Sequence, residues 1–115
     1  MPPATPSGAD PQGGVLIESR SETERTPPRA WRVLLHNDDY TTQDFVVWLL
    51  ESVFARSRSE ATAIMLHVHH AGVGVAGVYT REVAETKVSA AERLAEQHEY
   101  PLRVSMEPEP EESRP

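Results

Sequence analysis

Cysteine is absent from this 115-residue chain. Disulfides, thiolate nucleophiles and cysteine-ligated zinc are thereby excluded, and the composition suits a reducing compartment. Aromatic residues are scarce and confined, with all seven lying between Trp31 and Tyr100. Basic residues are too few to offset the acids, so the formal net charge is −7. A nucleic-acid partner would require a basic face to neutralise phosphates, so RNA and DNA are not expected as partners. No apolar run approaches the roughly 20 residues that span a bilayer. The N-terminus has neither a charged n-region nor an apolar h-region, which argues against membrane insertion or secretion and for a cytoplasmic protein.

Proline has the opposite distribution to the aromatics: nine of ten lie in residues 1–30 or 108–115. Residues 1–29 mix Pro, Gly, Ser, Thr and both charge signs, and Val15-Leu16-Ile17 is their only apolar cluster. Such a segment cannot bury enough apolar surface to offset the entropy of ordering it, so it reads as a flexible N-terminal arm. Residues 108–115 read as a disordered acidic tail on the same argument. Between them, residues 30–107 form one small domain with a modest core.

Within that domain the hydrophobic periodicity changes from element to element. Trp31-Arg32-Val33-Leu34-Leu35 is a half-buried strand. Phe45, Val46, Leu49, Leu50, Val53 and Phe54 form the apolar stripe of a helix over 42–55, with Thr41 and Asp44 as a capping box at its start. Trp48 lies off that stripe, covering a sheet edge or partly exposed. Ser57 and Glu60 form a second capping box, and Ala61, Ile64, Met65 and Val68 carry a helix over 59–71 to a stop at Gly72. Val73–Tyr79 is a strand in which Gly74 and Gly77 signal a bulge or a close backbone approach. Thr80 caps a helix with a small-residue face (Ala84, Val88, Ala91, Ala95) that ends near His98, before Tyr100-Pro101. Leu102, Val104 and Met106 alternate as a last strand. The order strand-helix-helix-strand-helix-strand predicts an α+β domain, a three-stranded antiparallel sheet with three helices packed on one face.

Two constellations carry chemistry. His36-Asn37-Asp38-Asp39-Tyr40-Thr41 gathers polar acceptors at a strand-to-helix turn, which suits a cation, although Asn and Asp are also ordinary turn residues. Met65-Leu66-His67-Val68-His69-His70 is the second. On a helix its histidines do not converge on one face, and they lack the spacing and partner ligand of a helical zinc pair. His69 adjoins the core stripe, where a neutral imidazole nitrogen accepts a hydrogen bond. No nucleophile elbow or phosphate-cradling glycine loop is present, so an enzyme is not expected. The competing reading is a small metal-assisted hydrolase using Asp38, Asp39, His69 and His70.

Taken together, Val33-Leu34-Leu35-His36-Asn37-Asp38-Asp39-Tyr40-Thr41, Met65-Leu66-His67-Val68-His69, Gly77-Val78-Tyr79-Thr80-Arg81-Glu82-Val83-Ala84-Glu85-Thr86-Lys87 and Tyr100-Pro101-Leu102 closely resemble the Clp protease adaptor family ClpS. The resemblance runs from Trp31 to Glu107 and implies a non-enzymatic adaptor without metal or cofactor. Such an adaptor binds the free N-terminus and bulky first side chain (Leu, Phe, Tyr or Trp) of N-degron substrates. It hands them to the N-terminal domain of a Clp AAA+ unfoldase of the ClpA or ClpC type.

By motif, the resemblance implies that Asn37, Asp38, Asp39 and His69 form the α-amino site, with Asp38 and Thr41 shaping the turn. It implies a hydrophobic pocket of Thr41, Gln43, Val46, Met65, Val68 and Leu102, and unfoldase docking through Glu82 and Lys87. The arm would engage the unfoldase during transfer. At the pocket rim Gln43 stands where the family commonly has methionine and Thr42 where it commonly has proline; His36 replaces a frequent apolar residue. A Clp-docking modulator without a working pocket is therefore the nearer alternative.

Overall fold

The computed structural model describes residues 28–110. Residues 1–27 of the arm and 111–115 of the tail lie outside that range. The six elements follow in the order anticipated: β1 (Trp31–His36), α1 (Gln43–Ser52), α2 (Arg58–Ala71), β2 (Val73–Tyr79), α3 (Arg81–Gln97) and β3 (Arg103–Pro108). β1 is the central strand, antiparallel to both neighbours, in the order β2-β1-β3.

Strand alternation decides which side chains meet the helices. Val33 and Leu35 of β1 are fully buried, joined by Ala76 of β2 and Val104 of β3. Phe45, Val46, Leu49 and Leu50 of α1, Ala61, Met65 and Val68 of α2, and Ala84, Ala91 and Ala95 of α3 complete one core. The alanines let α3 lie close beneath the sheet, and the three helices share one face as the pattern required. Val33 pairs with Gly77 while Leu34 pairs with Val75, so Ala76 is the extra residue of a bulge. Its carbonyl accepts from Arg56 Nε at 2.9 Å. The glycines permit close approach: a Cβ on Gly74 would stand 2.7 Å from Val68 Cγ2, and one on Gly77 would press into the Tyr79 ring, 2.6 Å from Cζ.

Several local expectations hold. Ser57 and Glu60 form the reciprocal capping box of α2, and Gly72 ends that helix at φ 92°. Thr80 Oγ1 accepts from the Val83 amide at the start of α3. The start of α1 differs: the cap is Thr42, whose Oγ1 accepts from the Phe45 amide at 3.1 Å, and not Thr41 with Asp44. Thr41 is drawn into the preceding turn instead. The same helix stops at Ser52, short of residue 55, and Ala55 takes a left-handed φ of 56°. β3 outlasts the expected end at Met106, and pairing continues two residues into the segment read as tail. The Glu109 amide donates to the Ala30 carbonyl at 2.7 Å, because the chain entering β1 offers that acceptor beside it. Arg29, assigned to the arm, donates through Nε to the Glu109 carbonyl.

Candidate functional site

Between the end of β1 and the start of α1, six residues must turn the chain from the sheet into a helix. Asp38 organises that turn. Its Oδ1 accepts from the Tyr40 amide at 2.8 Å and the Thr41 amide at 2.7 Å, and its Oδ2 accepts from the Thr41 hydroxyl at 2.7 Å. This is the side-chain-to-backbone closure to which Asp is suited. Partial burial pushes the Asp38 carboxyl up, but the Thr41 and Tyr40 donors outweigh it and hold the group below its ordinary value. Three of the roughly four lone-pair sites of this carboxylate are therefore committed within the turn. Of the α-amino set implied by the motifs, Asp38 is the member that the structure turns inward.

The turn is also pinned from below. The Asn37 amide donates to the Gly72 carbonyl at 2.9 Å, linking it to the left-handed cap of α2. This link brings the C-terminal turn of α2, with His69, opposite Asn37 and Asp39. A cavity of about 220 Å³ opens there, lined by Asn37, Asp38, Asp39 and Thr41 of the turn, Gln43 and Val46 of α1, and Met65, Val68 and His69 of α2. Asn37, Asp39, Gln43 and His69 are exposed, whereas Val46, Met65 and Val68 are buried. The cavity thus has a polar rim and an apolar floor.

All of the implied site residues on the turn, α1 and α2 line this one cavity. Leu102 does not: it precedes β3, is 7% exposed and belongs to the core cluster. Its alternation with Val104 turns it toward the helices beneath the sheet. His70 does not line the cavity, although its ring lies 5.2 Å from that of His69. Among the described residues no group of three or more His, Cys, Asp or Glu is placed to hold a metal ion. His36 sits on the opposite face of the sheet from Leu35, where Nε2 and Ser105 Oγ share a 2.7 Å hydrogen bond. Burial, and secondarily the Arg103 charge, push its pKa down. It belongs to the sheet and not to the cavity.

The two implied docking residues have different surroundings. Glu82 is exposed in the first turn of α3, which suits an acid at that helix end. The Lys87 ammonium is directed inward, donating to the Val53 carbonyl at 2.7 Å and lying 5.6 Å from the Tyr79 ring centroid. Val53 is the C-cap of α1, so Lys87 satisfies a carbonyl that the helix leaves without an internal partner. No periodicity in the sequence marks this pairing, because it joins residues 34 apart. Sequence reasoning also missed an aromatic group in which Phe45 packs against Trp48, His98 and Tyr100 with centroids 4.8–5.6 Å apart. The position of Trp48 off the α1 stripe was the available signal, and it is 40% exposed.

What the cavity can do follows from its donors and acceptors. An amide oxygen, a carboxylate and a neutral imidazole nitrogen can accept the three N–H bonds of an ammonium. The floor beneath offers only apolar atoms, suited to a hydrocarbon or aromatic side chain.

The family model for "ATP-dependent Clp protease adaptor protein ClpS" matches residues 26–105. The ATP-dependent Clp protease adapter protein ClpS of Desulfatibacillum aliphaticivorans is 55% identical over 105 residues, spanning 91% of this chain and 99% of that protein. The protein of the same name from Myxococcus xanthus is 54% identical over 95 residues, 83% of this chain and 89% of its own length. Among solved structures, Agrobacterium tumefaciens ClpS2 bound to L-phenylalaninamide superposes with a TM-score of 0.70 at 37% identity. That match covers 72% of this chain and all of the other. The sheet order, the helices on one face and the family motifs converge, and the metal-assisted hydrolase is set aside: the chain belongs to the ClpS family of Clp protease adaptors and is an adaptor, not an enzyme.

Proposed function

We propose that this adaptor binds proteins through a free N-terminal α-ammonium and a bulky first side chain, and delivers them to a Clp AAA+ unfoldase in the cytoplasm. The carrying observation is the cavity in which Asn37, Asp39 and His69 rim an apolar floor of Val46, Met65 and Val68. Asn37, Asp39 and His69 accept the ammonium, while Asp38 and Thr41 fix the turn that presents the first two. The ligand of the Agrobacterium tumefaciens protein, L-phenylalaninamide, has both required features, a free α-amine and an aromatic side chain. Burying a Leu or Phe side chain on the floor contributes roughly 1.5–3 kcal/mol. An acetylated terminus loses the charge and leaves acceptors unpaired at about 1–3 kcal/mol each.

Gln43 stands at the rim of the floor, where its amide can meet a tyrosine hydroxyl and where a thioether would crowd guests branched at Cβ. Docking to a ClpA- or ClpC-type unfoldase uses the α3 surface around Glu82, with Lys87 holding that helix against α1. The arm acts in transfer and not in recognition. The test is fluorescence anisotropy with peptides differing only in their first residue (Leu, Phe, Tyr, Trp, Ile, Ala). Bulky residues bind and Ala does not, His69→Ala removes the binding, and Gln43→Met reorders Tyr and Ile relative to Leu and Phe. A flat series, or one untouched by His69→Ala, would support docking without a working pocket.

A further inference from the structure

The helices pack on one face of the sheet, and among the described residues no helix or strand covers the other. Residues directly opposed in antiparallel strands share a face. Arg32, Leu34 and His36 of β1 alternate with the buried Val33 and Leu35, and they oppose Val78, Val75 and Val73 of β2. Three valines and a leucine therefore stand on the open face. On the β3 side of that face the polar groups are matched, Arg32 with Glu107 and His36 with Ser105. The β2 side carries only the aliphatic side chains, with Val73 37% and Val78 44% exposed.

We infer that Val15-Leu16-Ile17 of the N-terminal arm docks on this valine row, folding the arm back onto its own domain. Place and reach favour that occupant. The chain enters β1 at the Val78 end of the row, where Pro28, Arg29 and Ala30 line a depression of about 330 Å³ together with Val78, Tyr79 and Thr80. The stretch from Ile17 to Pro28 spans up to about 36 Å. From Val78 to Val73 the row measures only about 17 Å, so the cluster reaches all of it. Composition and area narrow the choice further. Val15-Leu16-Ile17 is the only apolar cluster of residues 1–27. Four aliphatic side chains fall short of the roughly 800 Å² per partner that a stable dimer buries, but they suit a three-residue segment. Tethering presents that segment at an effective concentration on the order of millimolar, so a weak contact suffices. The consequence for delivery rests on the proposed part of the arm in transfer: a docked arm is withheld from the unfoldase until it is displaced.

The test uses the full chain, whose lack of cysteine lets Ser19→Cys carry a single nitroxide two residues beyond Ile17. Paramagnetic broadening of methyl resonances then locates the arm. With a submillimolar contact populated most of the time, the methyls of Leu34, Val73, Val75 and Val78 should lose more than about half their intensity. Those of Val46 and Met65, beneath the sheet, should be affected far less. Replacing Val15, Leu16 and Ile17 together by serine leaves the domain untouched and should restore the outer-face signals. Even or absent broadening would overturn the inference, as would broadening that survives the serine replacement. Strongest broadening at Val46 and Met65 would also overturn it, placing the arm in the first cavity. Mixing nitroxide-bearing chains with isotope-labelled chains that lack the nitroxide distinguishes a second copy. Broadening of the outer-face methyls in that mixture would assign the row to another chain and overturn the fold-back. No unfoldase or peptide enters this experiment, so its failure leaves the substrate-binding reading standing.

Discussion

Replacing Lys87 by methionine keeps the aliphatic stem and removes the ammonium that joins α3 to the end of α1. The Val53 carbonyl is thereby deprived of a charged donor at 2.7 Å, at the C-terminus of a helix whose last turn contains no other cation. A hydrogen bond to a charged group contributes about 1.5–3 kcal/mol. The cation over Tyr79 adds about 0.5–1 kcal/mol at a partly exposed site. The bond is only part-buried, so the low end of the combined range is appropriate, about 2 kcal/mol. For a domain of this size that corresponds to a fall in Tm on the order of 10 °C. Urea unfolding followed by circular dichroism should show a lower midpoint with an unchanged m-value. Glu82→Gln, altering an exposed acid at a helix start, should cost less than about 1 kcal/mol. If Lys87→Met unfolds within about 0.5 kcal/mol of the parent, the link between α3 and α1 is not structural and the reasoning fails. The distinction bears on docking experiments. Loss of unfoldase binding in a Lys87 variant would reflect displacement of α3, whereas loss in Glu82→Gln would report the docking surface itself.

Gly74→Ala should cost roughly 1–3 kcal/mol by overpacking, because its Cβ would meet Val68 Cγ2 at 2.7 Å. Since Val68 also lines the cavity, calorimetric peptide affinity should fall in the folded variant as well. Ala55→Gly should stabilise by about 1 kcal/mol, relieving a left-handed φ of 56° at an exposed position, as read from thermal unfolding. His36 has a depressed pKa in the folded protein, so near pH 6 the unfolded chain binds more protons than the native one. Its contribution to stability is complete above its unfolded pKa of about 6.5 and is lost as pH falls through the folded value. His36→Gln should therefore flatten the urea midpoint between pH 7.5 and 5 relative to the parent, and an identical pH profile would refute the assignment.

The fold was legible because its signals are local. The α1 and α2 stripes, the Ser57 and Thr80 caps, Gly72 and the alternation in β1 each depend on neighbours within a few residues. The bulge in β2 was foreshadowed by two glycines, although that Ala76 would be the extra residue depends on pairing with β1. Thr41 and Thr42 were interchangeable as caps in sequence, and only the demand of Asp38 for donors separates them. The candidate site was legible through its motifs. The roles within it were less so: Asp38 and Asp39 are adjacent and chemically identical, and the backbone course of the turn directs one inward and leaves the other at the rim. The surroundings of Lys87 and Leu102 were not legible for a related reason. Their surroundings come from α1 and the sheet, and no spacing pattern encodes packing between distant elements.

The central claim is that this cavity reads a free α-ammonium together with a large first side chain. Calorimetry with two peptides identical except for acetylation of the N-terminal Phe tests it most directly. The account predicts that the free peptide binds, with one molecule per adaptor, and that acetylation weakens binding by about 100-fold or more, equivalent to roughly 2.7 kcal/mol. Comparable affinity for the two peptides, or binding of the acetylated peptide alone, would contradict it.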